Sequence, residues 1–152
     1  MEIKIKKLHP EAVIPQYATA GAAGFDLVAL EDVLIEPGDV KTIRTGLAFE
    51  IPVGYELQIR PRSGVSLKTK LRQPNSVGTI DSDYRGEVQL IFENTLTKLA
   101  HLNVKLASYL IQKGDRLAQG IIAPVVRAEF TVVEELSETK RGAGGFGHTG
   151  VQ

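Results

Sequence analysis

The sequence contains no cysteine, and this absence excludes several kinds of chemistry at once. Disulfides, thiolate nucleophiles and cysteine-ligated metal sites all require the missing side chain. The chain also lacks any run of about 18 apolar residues, the length that a membrane-spanning helix needs. Its N-terminus alternates charged and apolar residues and has no signal-peptide core. We therefore expect a soluble, cytoplasmic protein without a membrane partner.

The chain has no excess of either charge. Its 152 residues include 18 Lys plus Arg and 18 Asp plus Glu, so the formal net charge is +0. A general nucleic-acid binder would show a basic excess, so no nucleic-acid partner is expected. An anionic ligand must instead be held by a local cluster of residues. The hydrophobic content of 43% suits a packed core, and the length suits one domain.

Short segments of alternating apolar and polar residues dominate the chain, and turn-forming residues separate them. They predict an all-β, single-domain fold, a jelly-roll-like β-sandwich or barrel. One short helix is predicted from Ser63, with Ser63 as its N-cap, and leucine spacing over 95–109 suggests a second helix. The predicted strands are those around Ile3 and Ile5, Val33–Ile35, 40–47, 47–51, 55–60, 88–92 and 121–133.

The last residues of the chain, 140–152, form a glycine-rich tail. Residues 142–147 fit the G-x-G-x-x-G pattern, but dinucleotide binding also needs a following helix, and only five residues remain. Arg141 suits a phosphate and Phe146 can stack on a base. The alternatives are a disordered terminus and a lid over a nucleoside triphosphate. We expect residues 1–139 to form the β domain and the tail to be its mobile lid.

Two further segments carry residues suited to a phosphate ligand. Residues 61–64, Pro-Arg-Ser-Gly, lie where a strand meets the predicted helix, and a helix start presents free amides to an anion. Residues 78–86 hold Asp81 and Asp83 between two glycines, which predicts a β-hairpin with carboxylates at its tip. A carboxylate near phosphate can act as a general base for water. The alternatives are a plain helix cap and an ordinary Asp-rich turn.

Two other segments are less specific. Residues 114–119 fit a turn followed by the start of a strand. Small residues in 20–27 permit close backbone packing, where Asp26 is either structural or close to a bound ligand. The sequence has neither a P-loop nor a His-Glu-x-x-His motif, and its three histidines are scattered. Zinc bound by protein ligands is therefore not expected.

Taken together and in this order, five segments resemble the five ordered motifs of the trimeric dUTPase family. They read AGAAGFDL, PRSG, GTIDSDYRGE, GDRLAQ and RGAGGFGHTG, and they span Ala20 to Gly150. The resemblance implies hydrolysis of dUTP to dUMP and pyrophosphate, which limits uracil in DNA and supplies dUMP for dTMP synthesis. It also implies a homotrimer whose sites are shared between subunits.

The resemblance further implies roles for individual residues. Asp81 would orient and deprotonate the water that attacks the α-phosphorus, and Tyr84 would pack against the sugar and exclude a 2′-hydroxyl. Mg²⁺ would be held by substrate phosphates and water rather than directly by protein, with Asp26 near its water shell. The implied substrate-binding residues are Arg62, Ser63, Gly64, Asn75, Thr79, Ile80, Asp81, Tyr84, Gln89, Gln119, Arg141, Phe146, Gly147 and Thr149.

The chain departs from the family pattern at several positions. His148 stands where serine is usual, Gln89 where lysine is frequent, and Ser76-Val77 replaces Ala-Pro. The segment 95–111 is longer than the usual link and is expected to be a surface insertion. The alternatives to a dUTPase are a dCTP deaminase, a bifunctional deaminase–dUTPase, a non-catalytic nucleotide-binding regulator and a structural β-sandwich module.

Overall fold

The computed structural model describes residues 1–97 and 107–145. Most of the regular structure in these ranges is β-strand, and the prediction of an all-β fold is confirmed. The strands are β1 (Lys4–Lys7), β2 (Phe25–Val28), β3 (Val33–Ile35), β4 (Val40–Arg44), β5 (Leu47–Glu50), β6 (Tyr55–Pro61), β7 (Leu71–Arg72), β8 (Gly78–Ile80), β9 (Gln89–Asn94), β10 (Tyr109–Ile111) and β11 (Arg116–Pro124), and the helix α1 spans Ser63–Lys68. No helix within these ranges is both long and apolar enough to cross a membrane.

The described strands form four antiparallel sheets that do not close into a barrel. The largest sheet has the order β2-β11-β6-β8, and the others are β4-β9-β7, β1-β5 and β10-β3. β11 therefore lies between two strands from the first half of the chain. Its pairing places Gln119 opposite Asp26 on one side and opposite Arg60 on the other. The sheet thus brings three distant segments of the sequence to one place.

The core is built from the apolar residues that alternate along the strands. Leu57 and Ile59 of β6 are buried, as are Leu90 and Phe92 of β9. Each such side chain stabilises the fold by about 1.5–3 kcal/mol when it is fully removed from water. This buried face fixes the register of the strands, because a shift by one residue would turn the apolar side chains toward solvent.

Two predictions about strands are wrong. Residues 78–80 and 89–94 do not form a hairpin, because β8 pairs with β6 whereas β9 pairs with β4 and β7. The connection that carries Asp81 therefore crosses from one sheet to another. The last strand begins at Arg116 and ends at Pro124, and is not the predicted 121–133. Residues 125–140 are exposed, so their apolar alternation has no strand partner within the described chain.

The predictions about helices also need correction. The N-cap of α1 is Arg62, not Ser63, because the Arg62 carbonyl accepts the first helical bonds and no side chain caps the helix. The helix predicted over 95–109 falls partly on 98–106, which lie outside the described residues. Its end is wrong, since Tyr109–Ile111 forms β10 and pairs with β3. Ile111 is only 4% exposed, so the end of the 95–111 segment belongs to the core.

Asn94 ties the described part of this segment to the sheets. Its side chain is fully buried and donates hydrogen bonds to Ile35 O at 3.2 Å and to Ala107 O at 2.8 Å. Its Oδ1 accepts a bond from the Leu96 amide at 3.2 Å. A buried polar group is costly when it loses its partner, so these bonds hold the two backbone segments in place.

We expect Asn94→Ala to lower the free energy of unfolding by about 1–3 kcal/mol, because buried backbone groups lose their partners. The neighbouring Thr95→Ala is a matched control, since the Thr95 hydroxyl makes one exposed bond to Lys70 O. Its effect should stay below about 1 kcal/mol. Urea denaturation of both variants measures the difference, and equal losses would contradict the role given to Asn94.

Candidate functional site

Two arginines and an aspartate form a cluster at the end of the largest sheet. The carboxylate of Asp26 on β2 lies 3.1 Å from Arg62 Nε and 3.2 Å from Arg116 Nη1. Arg62 Nη1 also donates a hydrogen bond to the Arg116 carbonyl at 3.0 Å. We call Asp26, Arg62 and Arg116 the arginine cluster. One carboxylate balances only one of the two guanidinium groups, so the cluster retains a net positive charge.

A pocket of about 640 Å³ lies beside the arginine cluster. Its lining includes Arg62 and Arg116, together with Gly64 and Lys68 of α1. Ser63 and Gly64 are exposed at the first turn of the helix. This is a local concentration of cationic groups in a chain whose total charge is zero, and it suits a phosphate ligand.

Gln119 lies next to the arginine cluster through the strand register. It faces Asp26 across the β11–β2 pair, and its Nε2 is 3.5 Å from Pro61 O, the residue before Arg62. The structure thus gathers four of the predicted phosphate-binding residues in one region: Arg62, Ser63, Gly64 and Gln119.

A second pocket, of about 480 Å³, lies at the crossing between β8 and β9. We call it the Asp81 pocket. Six of the residues predicted from the sequence line it, and three further residues complete the lining. The predicted ones are Asn75, Thr79, Ile80, Asp81, Tyr84 and Gln89, and the others are Thr42, Glu87 and Ile91. The pocket is therefore assembled from β4, β8, β9 and the loops beside them.

A tight turn sets the relation between Asp81 and Tyr84. The Tyr84 amide donates to Asp81 O at 3.2 Å, and Arg85 Nη1 donates to the carbonyls of Ser82 and Tyr84. The Tyr84 hydroxyl donates to Glu87 O at 3.1 Å. Asp81 is exposed, and within residues 1–97 and 107–145 its carboxylate makes no ion pair. A carboxylate in this state can accept a proton from water.

Glu87 fastens this loop to the rest of the fold. Its side chain is only 14% exposed, and its carboxylate accepts bonds from Arg44 Nε at 3.1 Å and from the Gly46 amide at 2.8 Å. Gly46 has φ +70, and a Cβ there would lie 2.8 Å from the Ala12 side chain, so the turn requires glycine. Sequence reasoning missed Glu87, because nothing in the pattern connects it to Arg44.

Sequence reasoning also missed Arg116. Its motif was read as a turn and the start of a strand, whereas its side chain shares Asp26 with Arg62. The only signal was its place in GDRLAQ, a motif selected for its glutamine. Thr42 and Ile91 were missed because strand alternation does not reveal which strands face a pocket.

The tail residues lie apart from both pockets. Arg141 Nε donates to Gly144 O at 2.8 Å, and the Gly142 amide donates to Thr139. Arg141 lines neither the Asp81 pocket nor the pocket beside the arginine cluster. Three other predicted residues, Phe146, Gly147 and Thr149, lie outside the described residues, as does His148.

The two pockets share no lining residue. Asp81, the arginine cluster and Arg141 therefore occupy three separate places on one chain. A ligand that needs all three must contact more than one copy of the chain, or the chain must rearrange.

Titration and metal binding do not single out another site. The hydrogen bond from Lys113 holds the pKa of Glu11 below its ordinary value, and Lys4 does the same for the pKa of Glu50. Both are ion pairs at the surface, which is common in stable proteins. Across the described ranges, no three His, Asp or Glu side chains are grouped to hold a metal ion.

An all-β domain with a carboxylate pocket and a cationic cluster is a class of protein suited to a small phosphorylated ligand. The sequence model of a family described as dUTPase matches residues 10–150. A deoxyuridine 5'-triphosphate nucleotidohydrolase of Nautilia profundicola is 57% identical over 150 residues, which cover 99% of each chain. The enzyme of that name from Wolinella succinogenes is 51% identical over 99% of this chain and 95% of its own.

Solved structures agree with these relatives. The dUTPase of Staphylococcus bacteriophage 80alpha with dUPNHPP has a TM-score of 0.91, at 33% identity and 99% coverage of both chains. A dUTPase from phage phi11 of S. aureus, described with a structural Mg(II) ion, has a TM-score of 0.81 at 30% identity over 89% of this chain and 98% of that chain. The chain belongs to the dUTPase family. The prediction that it is an enzyme, a dUTP diphosphatase, is confirmed.

We expect Arg44→Met to lower the free energy of unfolding by about 1–2 kcal/mol, because the half-buried Glu87 carboxylate loses a charged donor. Lys4→Met is the control, since it removes a pair whose side chains are 69% and 48% exposed and should change stability little. Thermal and urea denaturation compare the two. An equal response would mean that Glu87 does not depend on Arg44.

Proposed function

We propose that the chain hydrolyses dUTP to dUMP and pyrophosphate in a site built from the Asp81 pocket, the arginine cluster and the tail. The observation that carries this proposal is the Asp81 pocket, which gathers six predicted residues from separate segments. The names of the relatives support it, as does the phage 80alpha structure with dUPNHPP, an analogue of dUTP.

The base would be recognised by backbone groups of β8. This strand lies at the edge of its sheet and pairs only with β6, so one side of Thr79 and Ile80 has backbone groups free for a ligand. Fixed amides and carbonyls discriminate strongly, because a mismatched base leaves buried groups without partners. Asn75 lines the same pocket. The Tyr84 ring would pack against the sugar and exclude a 2′-hydroxyl.

The chemistry would be a direct attack of water on the α-phosphorus. Asp81 accepts a proton from the water, a new bond forms between water oxygen and α-phosphorus, and the bond to the β-phosphate oxygen breaks as pyrophosphate leaves. Arg62, with Ser63, Gly64 and Gln119, would hold the phosphates. Positioning and electrostatic stabilisation then supply the rate acceleration, since no covalent nucleophile takes part.

Mg²⁺ is the proposed cofactor, bound through substrate phosphates and water. Asp26 fits a role near that water shell. Each of its oxygens already accepts one arginine bond, but a carboxylate has about four lone-pair positions and can accept more. When bound, Mg²⁺ supplies charge neutralisation at the phosphate oxygens. The phi11 dUTPase, described with a structural Mg(II) ion, is a precedent within similar folds.

The active assembly is proposed to be a homotrimer whose sites are shared between subunits. The three groups of site residues lie apart on one chain, and sharing brings them together. The segment 125–136 supports an assembly, because Val126, Phe130 and Val132 are each more than 90% exposed in the single chain. A series of exposed large apolar side chains marks an interaction surface. The tail, residues 140–152, would close as a lid over a neighbouring site.

In the cell, this reaction would limit uracil in DNA and supply dUMP for dTMP synthesis. The rival activities are separated by their products. A dCTP deaminase releases ammonia from dCTP, and a bifunctional enzyme does so and then forms dUMP. A non-catalytic regulator would bind the nucleotide without turnover. A structural module would show no thermal shift with a dUTP analogue and Mg²⁺.

We expect the purified protein with Mg²⁺ to convert dUTP to dUMP and pyrophosphate, and to leave dCTP, UTP and dTTP essentially unchanged. Asp81→Asn should lower kcat by roughly 10²–10⁴-fold, because the general base is lost. Asp83→Asn is the matched control, two residues away in the same exposed turn, and should keep near-normal kcat. Undiminished turnover in Asp81→Asn would remove the assigned base, and ammonia release from dCTP would replace the proposed reaction.

Shared sites predict complementation between two inactive variants. A chain that ends before Arg141 lacks the lid, and Asp81→Asn lacks the base, so each assembly alone should be nearly inactive. Mixed assemblies made by refolding or co-expression should regain activity, because one subunit supplies Asp81 and another the tail. A chain with both changes, mixed with itself, is the control. No recovery in confirmed mixed assemblies would show that each site is built from one subunit.

A further inference from the structure

Gly86 lies directly under the ring of Tyr84. A Cβ placed on Gly86 would lie 2.5 Å from Tyr84 Cζ and 3.0 Å from Cε2, and closer still to Oη. Real Cβ atoms do not approach other heavy atoms so closely, so an alanine here requires the tyrosine ring to move. Position 86 therefore determines where the ring can be.

The need for glycine at this position is steric. The φ of Gly86 lies outside the left-handed region, unlike that of Gly46 or Gly54. Other residues can adopt that backbone conformation without strain. What excludes them is the space that the Tyr84 ring occupies.

The ring is held from its other side as well. Its hydroxyl donates to Glu87 O at 3.1 Å, and the Glu87 carboxylate is fastened by Arg44 and the Gly46 amide. The turn from Asp81 to Tyr84 fixes the start of the ring's side chain through the Tyr84 amide. A missing Cβ on one side and an anchored carbonyl on the other thus define one ring position, at the wall of the Asp81 pocket.

We propose that Gly86 is a positioning residue for sugar selection: it admits the Tyr84 ring to the place where the ring excludes a 2′-hydroxyl. This rests on the proposed function, in which Tyr84 packs against deoxyribose. Tyr84 is 44% exposed, so a displaced ring can swing into solvent without opening the core. An alanine at position 86 therefore impairs discrimination between dUTP and UTP more than it impairs folding.

The test compares kcat/KM for dUTP and UTP in the full-length wild type, Gly86→Ala, Tyr84→Ala and the double variant. The dUTP/UTP ratio should fall by about tenfold or more in Gly86→Ala, in the range that a pocket contact contributes to specificity. The double variant should match Tyr84→Ala, because without the ring the added methyl group has nothing to displace. An unchanged ratio in Gly86→Ala, or losses that multiply in the double variant, would overturn the proposal.

Gly38→Ala controls for a general loss of stability. Gly38 has φ +75 with open space around its Cβ position, and it lines neither the Asp81 pocket nor the pocket beside the arginine cluster. Alanine there strains the backbone but should leave the dUTP/UTP ratio unchanged. A fall in the ratio equal to that of Gly86→Ala would make the effect one of stability, and the proposal would fail.

The outcomes also separate this inference from the proposed function. If the wild type does not prefer dUTP to UTP, the proposed function fails and the inference fails with it. If the preference exists and Tyr84→Ala relaxes it while Gly86→Ala does not, only the inference fails. Should Gly86→Ala fail to fold, adding Tyr84→Ala is expected to restore folding by removing the clash, and failure to restore it would overturn the proposal.

Discussion

The position of β11 between β2 and β6 is the constraint on which the phosphate side of the molecule depends. These strands are far apart in the sequence, and only the ladder of backbone hydrogen bonds places Asp26, Pro61 and Gln119 next to one another. The buried side chains of β6 make a change of register costly, because it would expose Leu57 and Ile59. The arginine cluster is thus rigid for the same reason that the sheet is stable.

The Asp81 pocket depends on a different device. The chain leaves the largest sheet at Ile80 and enters the β4-β9-β7 sheet at Gln89, so the connection spans the junction of two sheets. A hairpin would have returned beside β8 and covered its open edge. The crossing leaves that edge exposed at the pocket, and the bond network of Glu87 holds the connection in place.

Alternation along the sequence predicted most of the strands, because one buried face is a local property. It did not predict partners, since pairing depends on segments far apart in the chain. The hairpin at residues 78–94 failed for this reason, and so did the strand over 125–133, where exposed apolar residues await another surface. The motif resemblance placed the residues of the Asp81 pocket correctly. It gave no indication of Glu87, whose role depends on contact with Arg44 across the fold.

The distribution of charge gives the last link between fold and assembly. The chain is neutral, and Asp26 offsets one of the two guanidinium groups in the arginine cluster. That leaves too little positive charge in one place for a triphosphate, which carries several negative charges. Arg141 supplies another cation, but on a segment that lies apart from the cluster. A bound divalent cation and a tail from a neighbouring subunit are the two ways to complete the neutralisation, and both follow from how little charge a single chain collects.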